Sequence, residues 1–206
     1  MRLSVAIAAL IVLAAAESQA AEPVQVGMVA RLAGEARAEQ AGASRALGVP
    51  DGLFHRDRLA TGADSRLLGR LADDSEVTLG ANAELVLDEF IYDPAADRRV
   101  VALRSLAGAF LLAVDDAIGG PDSQVTVTTP AAIIGIRGTT VWGGEIDAGY
   151  GVLALDGRVS VTTAAGTVTL EAGQALTITL PATLPPIETW PEDKLQRAFA
   201  TVAFPE

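Results

Sequence analysis

From Val24 to Leu180 the chain alternates apolar with polar or small residues at a period of two. Val125 and Val127 flank Thr126, Val159 and Val161 flank Ser160, Val168 and Leu170 flank Thr169, and Leu176, Ile178 and Leu180 interleave with Thr177 and Thr179. Alternation of this kind sends one set of side chains into a core and the other into water, which a strand does and a helix does not. The β-branched Val, Ile and Thr suit that pleated setting. The runs are punctuated by Asp51-Gly52, Asp73-Asp74, Asn82, Gly119-Gly120-Pro121, Asp156-Gly157, Ala165-Gly166 and Ala172-Gly173, residues that supply the left-handed backbone of tight turns. The spacing predicts an all-β domain of about a dozen or more short strands. A loose unit recurs: an apolar residue, a Gly or Asp turn, then alternating Val or Ala. It stands at Leu32–Ala38, Leu71–Val77, Leu106–Leu112 and Leu155–Val161. Stacked turns of that sort are expected in an irregular β-solenoid, or β-helix-like domain, of short strands over residues 24–180, with a β-sandwich as the alternative.

The two ends differ from this pattern. Pro181, Pro185 and Pro186 stop the strands and predict a stiff, extended Pro-rich linker over 181–189. Thr189-Trp-Pro-Glu192 then reads as a capping box. Leu195, Ala198, Phe199 and Val202 fall on one face of a short C-terminal α-helix over 190–203. Such a helix is too short to persist alone. It is expected to cap an open end of the β domain, the alternative being a helix that docks on a partner.

At the other end, Arg2 precedes an unbroken small-apolar run from Val5 to Ala16, followed by Ser18 and Ala20 at the −3 and −1 positions that signal peptidase requires. The run is too short to span a hydrocarbon core of about 30 Å. Residues 1–20 are therefore expected to be a signal peptide cleaved after Ala20, delivering the chain to the periplasm or outside the cell. No cysteine follows to carry a lipid anchor. No later segment approaches the roughly 18 apolar residues of a spanning helix, so no stable membrane insertion is expected after cleavage.

Composition removes several classes of chemistry. The absence of cysteine excludes disulfides, thiolate metal sites and thiol nucleophiles, and the single histidine, His55, excludes a multi-histidine metal centre. Twenty-six acids against 15 bases, a net charge of −11, argue against nucleic-acid binding. His55 has Asp57 two residues away but no nucleophile elbow anywhere in the chain, so it reads as an exposed loop residue. Asp73-Asp74, Asp88-Glu89 and Asp115-Asp116 lack the spacing of a calcium loop and read as solvated turn residues, with incidental calcium between stacked turns left open. No catalytic, cofactor-binding or metal-binding residues are assigned, and a non-enzymatic protein is expected.

One segment stands apart: Thr129-Pro130, then the apolar Ala131 to Ile136, with Gly135 and Gly138 on either side of Arg137, and Thr139 beyond. A guanidinium among apolar strands must be paired. The expected role of Arg137 is an internal clasp between neighbouring rungs, the alternative being an exposed residue of a recognition groove.

Thr129-Pro130 followed by Ile134-Gly135-Ile136-Arg137-Gly138-Thr139 resembles the Thr-Pro…Arg-Gly-Thr signature of the FecR-type periplasmic domain family. Upstream, Gly52, Asp57-Arg-Leu-Ala-Thr61, Ser65, Leu67 and Leu71–Leu79 are similar to that family's line, with Asp74 where it usually has glycine. Downstream, Val159-Ser-Val161 and Glu171-Ala-Gly-Gln174 resemble its closing elements. The resemblance covers residues 24–180 and implies a non-enzymatic, β-solenoid-like module with no cofactor. In signalling relatives such a module relays the occupancy of a TonB-dependent receptor. The familiar layout has a cytoplasmic anti-sigma region and a spanning helix, and a signal peptide stands in their place here. The expectation is a stand-alone, exported, protein-binding module of the cell envelope, bound to an envelope protein such as a component of TonB-dependent receptor signalling. The alternative is an extracellular structural or glycan-binding envelope protein.

Overall fold

The computed structural model describes residues 23–115, 123–179 and 185–205. The expected signal peptide with Ala20, the Gly119-Gly120-Pro121 turn and the first part of the proline-rich linker lie outside those residues. The strands in chain order are β1 (Gln25–Ala33), β2 (Ala36–Gln40), β3 (Ala43–Ala46), β4 (Gly52–Phe54), β5 (Arg58–Thr61), β6 (Arg66–Leu71), β7 (Glu76–Leu79), β8 (Glu84–Asp93) and β9 (Arg98–Ala107). They continue with β10 (Phe110–Ala113), β11 (Gln124–Thr128), β12 (Ile133–Arg137), β13 (Thr140–Ile146), β14 (Gly149–Ala154), β15 (Arg158–Thr163), β16 (Gly166–Glu171) and β17 (Ala175–Ile178), before helix α1 (Glu192–Ala200).

The protein is mostly β, as the alternation predicts, with one short α-helix and a single 3-10 turn at Pro94–Ala96 among the described residues. The strands form two large sheets. One of eight strands runs β17-β14-β13-β10-β7-β6-β1-β4, and one of nine runs β16-β15-β12-β11-β9-β8-β5-β2-β3. Their inward faces meet in a single core, to which Val29, Leu67, Leu112 and Val152 come from the first sheet and Leu59, Leu103, Ile134 and Val161 from the second. Two facing sheets are sandwich-like layering, the alternative expectation. The solenoid is not confirmed. Coils stacked as a solenoid pair their strands in parallel, whereas here β11 runs parallel to β9 but antiparallel to β12, and β12, β15 and β16 continue antiparallel.

The recurring unit marks where the chain turns back. At Leu32–Ala38, Leu106–Leu112 and Leu155–Val161 it carries the chain from one sheet to the other, with Gly34, Gly108 and Gly157 at positive φ. At Leu71–Val77 it closes the β6–β7 hairpin, with Asp74 at φ 62° where the family line has glycine. Asp51-Gly52 is different. Gly52 opens β4 rather than closing a tight hairpin, and neither residue adopts positive φ.

The C-terminal segment forms a third layer. Its described part does not behave as a free linker, because Glu188 exchanges two 2.8 Å backbone hydrogen bonds with Ala175 on the edge of β17. Instead of capping an open end, α1 lies on the outer face of the eight-stranded sheet. There Trp190, Ala198 and Val202 bury against Trp142, Ile146 and Leu153. The two indoles meet edge to face at 5.7 Å, and Trp142 Nε1 donates to Thr201 Oγ1 at 3.1 Å. Gly151 makes this docking feasible, because a Cβ there would lie 2.6 Å from the Trp190 ring. Lys194 and Arg197 both reach Asp147. The expected capping box does not form. The helix starts at Glu192 with extended Pro191 as its N-cap, which leaves Thr189 too far out to bond the first turn. Phe199 stays 38% exposed, so the apolar stripe is only partly used. Replacing Trp190 by Ala is expected to cost about 3 kcal/mol and to free α1. Urea unfolding followed by circular dichroism would measure the loss.

Candidate functional site

Thr129 and Pro130 build the β11–β12 hairpin. The Thr129 hydroxyl accepts from the Ala131 and Ala132 N–H groups and donates to the Ala132 carbonyl at 2.9 Å, while Pro130 sits exposed at the tip, where a missing donor costs nothing. Along β12, Ile134 and Ile136 face the core while Ile133, Gly135 and Arg137 face out. Gly138, at φ 53°, then swings the chain from the nine-stranded sheet to β13 of the other.

The return crossing, from β14 to β15, is locked to this one. Buried Thr139 donates to the Asp156 carbonyl, and the Asp156 carboxylate accepts from the Thr140 N–H at 2.6 Å. A side chain at Gly157 would strike the Gly138 carbonyl at 2.7 Å. Partial burial pushes the Asp156 carboxyl up, but the hydrogen bonds from Thr140 and Thr139 outweigh it and hold the group below its ordinary value. Four of the six signature residues, Thr129, Pro130, Gly138 and Thr139, thus serve turns and corners.

Gly135 and Arg137 serve the surface. A side chain at Gly135 would lie 2.5 Å from Ser160 Oγ, and its absence deepens a groove of about 630 Å³ across the outer face of the nine-stranded sheet. In register across the groove, Gly135 faces Ser160, which faces Thr169, while Arg137 faces Arg158, which faces Glu171. Arg158 Nε bonds Glu171 Oε1 at 2.9 Å. Arg137 is exposed, which corrects the internal clasp. A residue two positions from Gly135 on a strand shares its face, and that face is outward. The recognition-groove alternative fits its position. The sequence marks Arg158 only within a turn unit and Glu171 only within a closing family element, not as neighbours of Arg137, since the pairing of distant strands is not written in any one of them.

The remaining residues divide differently from expectation. His55 is half-buried rather than exposed, its Nε2 lying 3.0 Å from the Asp88 carbonyl oxygen. Asp57 is fully buried and turned to Arg45, which binds it through both terminal nitrogens at 3.1 and 2.6 Å. Asp73 is not a solvated turn residue. It is 3% exposed, accepts from the Ser75 hydroxyl and lies 3.8 Å from the 2% exposed Arg99, which also donates to the Asp115 carbonyl. Asp88 is bound by Nε and one terminal nitrogen of Arg104, and Asp115 is exposed, while Asp116 lies outside the described residues. Among the described residues no group of three potential ligands is placed to hold a metal ion, and no helix is long and apolar enough to cross a membrane.

Two outcomes follow from this geometry. Thr139→Val, which strands the Asp156 carbonyl, is expected to lower stability by about 1–2 kcal/mol, and Arg137→Ala by no more than about 0.5 kcal/mol, both read from urea denaturation. Because the folded-state pKa of Asp156 is depressed, its contribution is complete above the unfolded value and is lost as pH falls through the folded one. Melting curves below pH of about 4 should therefore fall less steeply for Asp156→Asn than for the parent.

The family model described as FecR protein matches residues 57–169. Two crystal structures of a candidate anti-sigma factor from Parabacteroides distasonis ATCC 8503 share the fold, each with a TM-score of 0.53 and 15% identity over 68% of this chain. The aligned part is 62% of that protein, so this chain spans less than two thirds of its length. At such identity the likeness is one of fold alone. Among curated proteins none matches the chain. The matched region holds the Thr-Pro turn, Gly135, outward Arg137 and the locked corner at Thr139, and it covers more than half of the chain. The chain belongs to the FecR family.

Proposed function

We propose that this protein is an exported, non-enzymatic FecR-type module that binds another protein of the cell envelope as part of a signalling relay. The observation that carries the reading is the division of labour within the signature. Its threonines and Gly138 hold corners, while Arg137 is turned outward beside Arg158 on a groove. An Arg and hydroxyl face is suited to planar, hydrogen-bonded contact with a partner's carboxylates or carbonyls. The nine-stranded sheet also ends in β16, a strand paired on one side by β15, and strand addition there would extend the same face. The arginine and serine-containing N-terminal segment supports export to the periplasm or beyond. The Parabacteroides protein's description as an anti-sigma factor supports the signalling half, and the FecR family supplies a component of a TonB-dependent receptor system as the candidate partner. The repeated passage of the chain between the sheets supports reading the domain as an irregular, flattened solenoid.

Tagged protein recovered from an envelope fraction is expected to lack residues 1–20 by mass and to bring down one stoichiometric protein. The double variant Arg137→Glu/Arg158→Glu is expected to lose that protein while keeping the parent's melting temperature. Co-sedimentation of purified protein with peptidoglycan, unaffected by the double variant, would overturn the reading in favour of a glycan-binding envelope protein.

A further inference from the structure

At one end of the core the two sheets part around a second pocket of about 420 Å³. It opens among the β9–β10 corner, the Pro130 turn, the β13–β14 turn and the end of β17. Here the inward faces change character. The β9 positions after Val101 and Leu103 bring buried Ser105, and the β11 positions after Val125 and Val127 bring Thr129. On β13, Val141 and Gly143 face the core, the missing side chain of Gly143 leaving room for the Phe110 ring and the Tyr150 hydroxyl. The next residue on that face is Glu145, directly across the ladder from Tyr150.

A carboxylate on the core-facing side of a strand, at the mouth of a pocket, has no cation or hydrogen-bond donor against it among the described residues. Its side chain is exposed at that mouth. Behind it, the Tyr150 oxygen is shut off from solvent and makes no hydrogen bond of good geometry, although it lies near the Ser105 and Thr129 hydroxyls. Burial, helped by the charge of Glu145 and opposed by those two hydroxyls, pushes the phenol up to about 12, so it stays neutral and can accept as well as donate. The walls between these groups are apolar, from Leu106, Pro130, Ala131 and Ile178.

We infer that this pocket binds the cationic end of an aliphatic chain, the chemistry shared by alkyl diamines and by the lysine side chain of a partner polypeptide. The methylene stem lies along Pro130, Ala131 and Ile178. An ammonium has three donors and no acceptor, and it finds the Glu145 carboxylate at the mouth, with the hydroxyls of Tyr150 and Ser105 behind it. The volume is in the range of small-ligand sites. Anions are repelled by Glu145 and by a chain of net charge −11.

The test is an NMR titration of the ¹⁵N-labelled full chain at low salt with two probes, 1,5-diaminopentane and Nα-acetyl-lysine methylamide. Saturable shifts are expected at the amides of Ala131, Gly149 and Tyr150, with affinity about tenfold weaker in Glu145→Gln and unchanged in Glu89→Gln, an exposed carboxylate on another strand. Binding of the diamine alone identifies a free amine as the ligand, and binding of the acetylated lysine identifies a side chain. No saturable shift with either probe, or equal weakening by the two Glu→Gln variants, would overturn the site.

Discussion

The fold depends on polar locks at the places where the chain leaves one sheet for the other. A two-sheet stack wound by one chain must turn back repeatedly, and each turn exposes backbone groups that neither sheet's ladder can use. Here short side chains take them up. Thr139 holds the Asp156 carbonyl, Thr61 donates to the Gly80 carbonyl at 2.6 Å and accepts from the Ala83 N–H, and Ser65 accepts from the Glu35 N–H. Asp57, with Arg45 wrapped around it, also accepts from the Phe54 N–H at 2.8 Å. These bonds fix where each strand begins, and through that which residues face the core. A one-residue slip at any corner would turn the following strand inside out.

That dependence explains why the family signature looks as it does. Most of its polar residues are internal fasteners, whose substitution would be felt as lost stability. Gly135 and Arg137 are placed otherwise. They lie on the outer surface, where the ladder from Arg137 through Arg158 to Glu171 contributes little to folding. Fastening is thus carried by the turns that flank β12, and presentation by the outward residues of β12, two apart as the period of a strand requires.

The same period explains what was legible in the sequence. Strand content, the core positions and three of the sheet-crossing corners follow from alternation and glycine, because both are local properties. The facing of Arg137 was locally available too, two residues from Gly135 and one from inward Ile136, and the glycines around it obscured that parity. Other features were out of reach. The contact of Asp73 with Arg99, the Arg137–Arg158–Glu171 ladder and the pocket behind Glu145 each join segments distant in the chain, and strand order decides them. Helix α1 was visible as an amphipathic stripe. Its landing place was not, since that depends on the register that sets Trp142 across from Leu153 and Gly151 across from Gly144 on neighbouring strands.

The chain has two tryptophans, and both stand at the contact between α1 and the sheet beneath it. Its intrinsic fluorescence consequently reports on that one interface. Lys194 lies 4.4 Å above the Trp190 ring, and Trp190 Nε1 donates to Glu188. Departure of the helix would therefore alter both emission and quenching while the aliphatic interior, which contains no indole, remained optically silent.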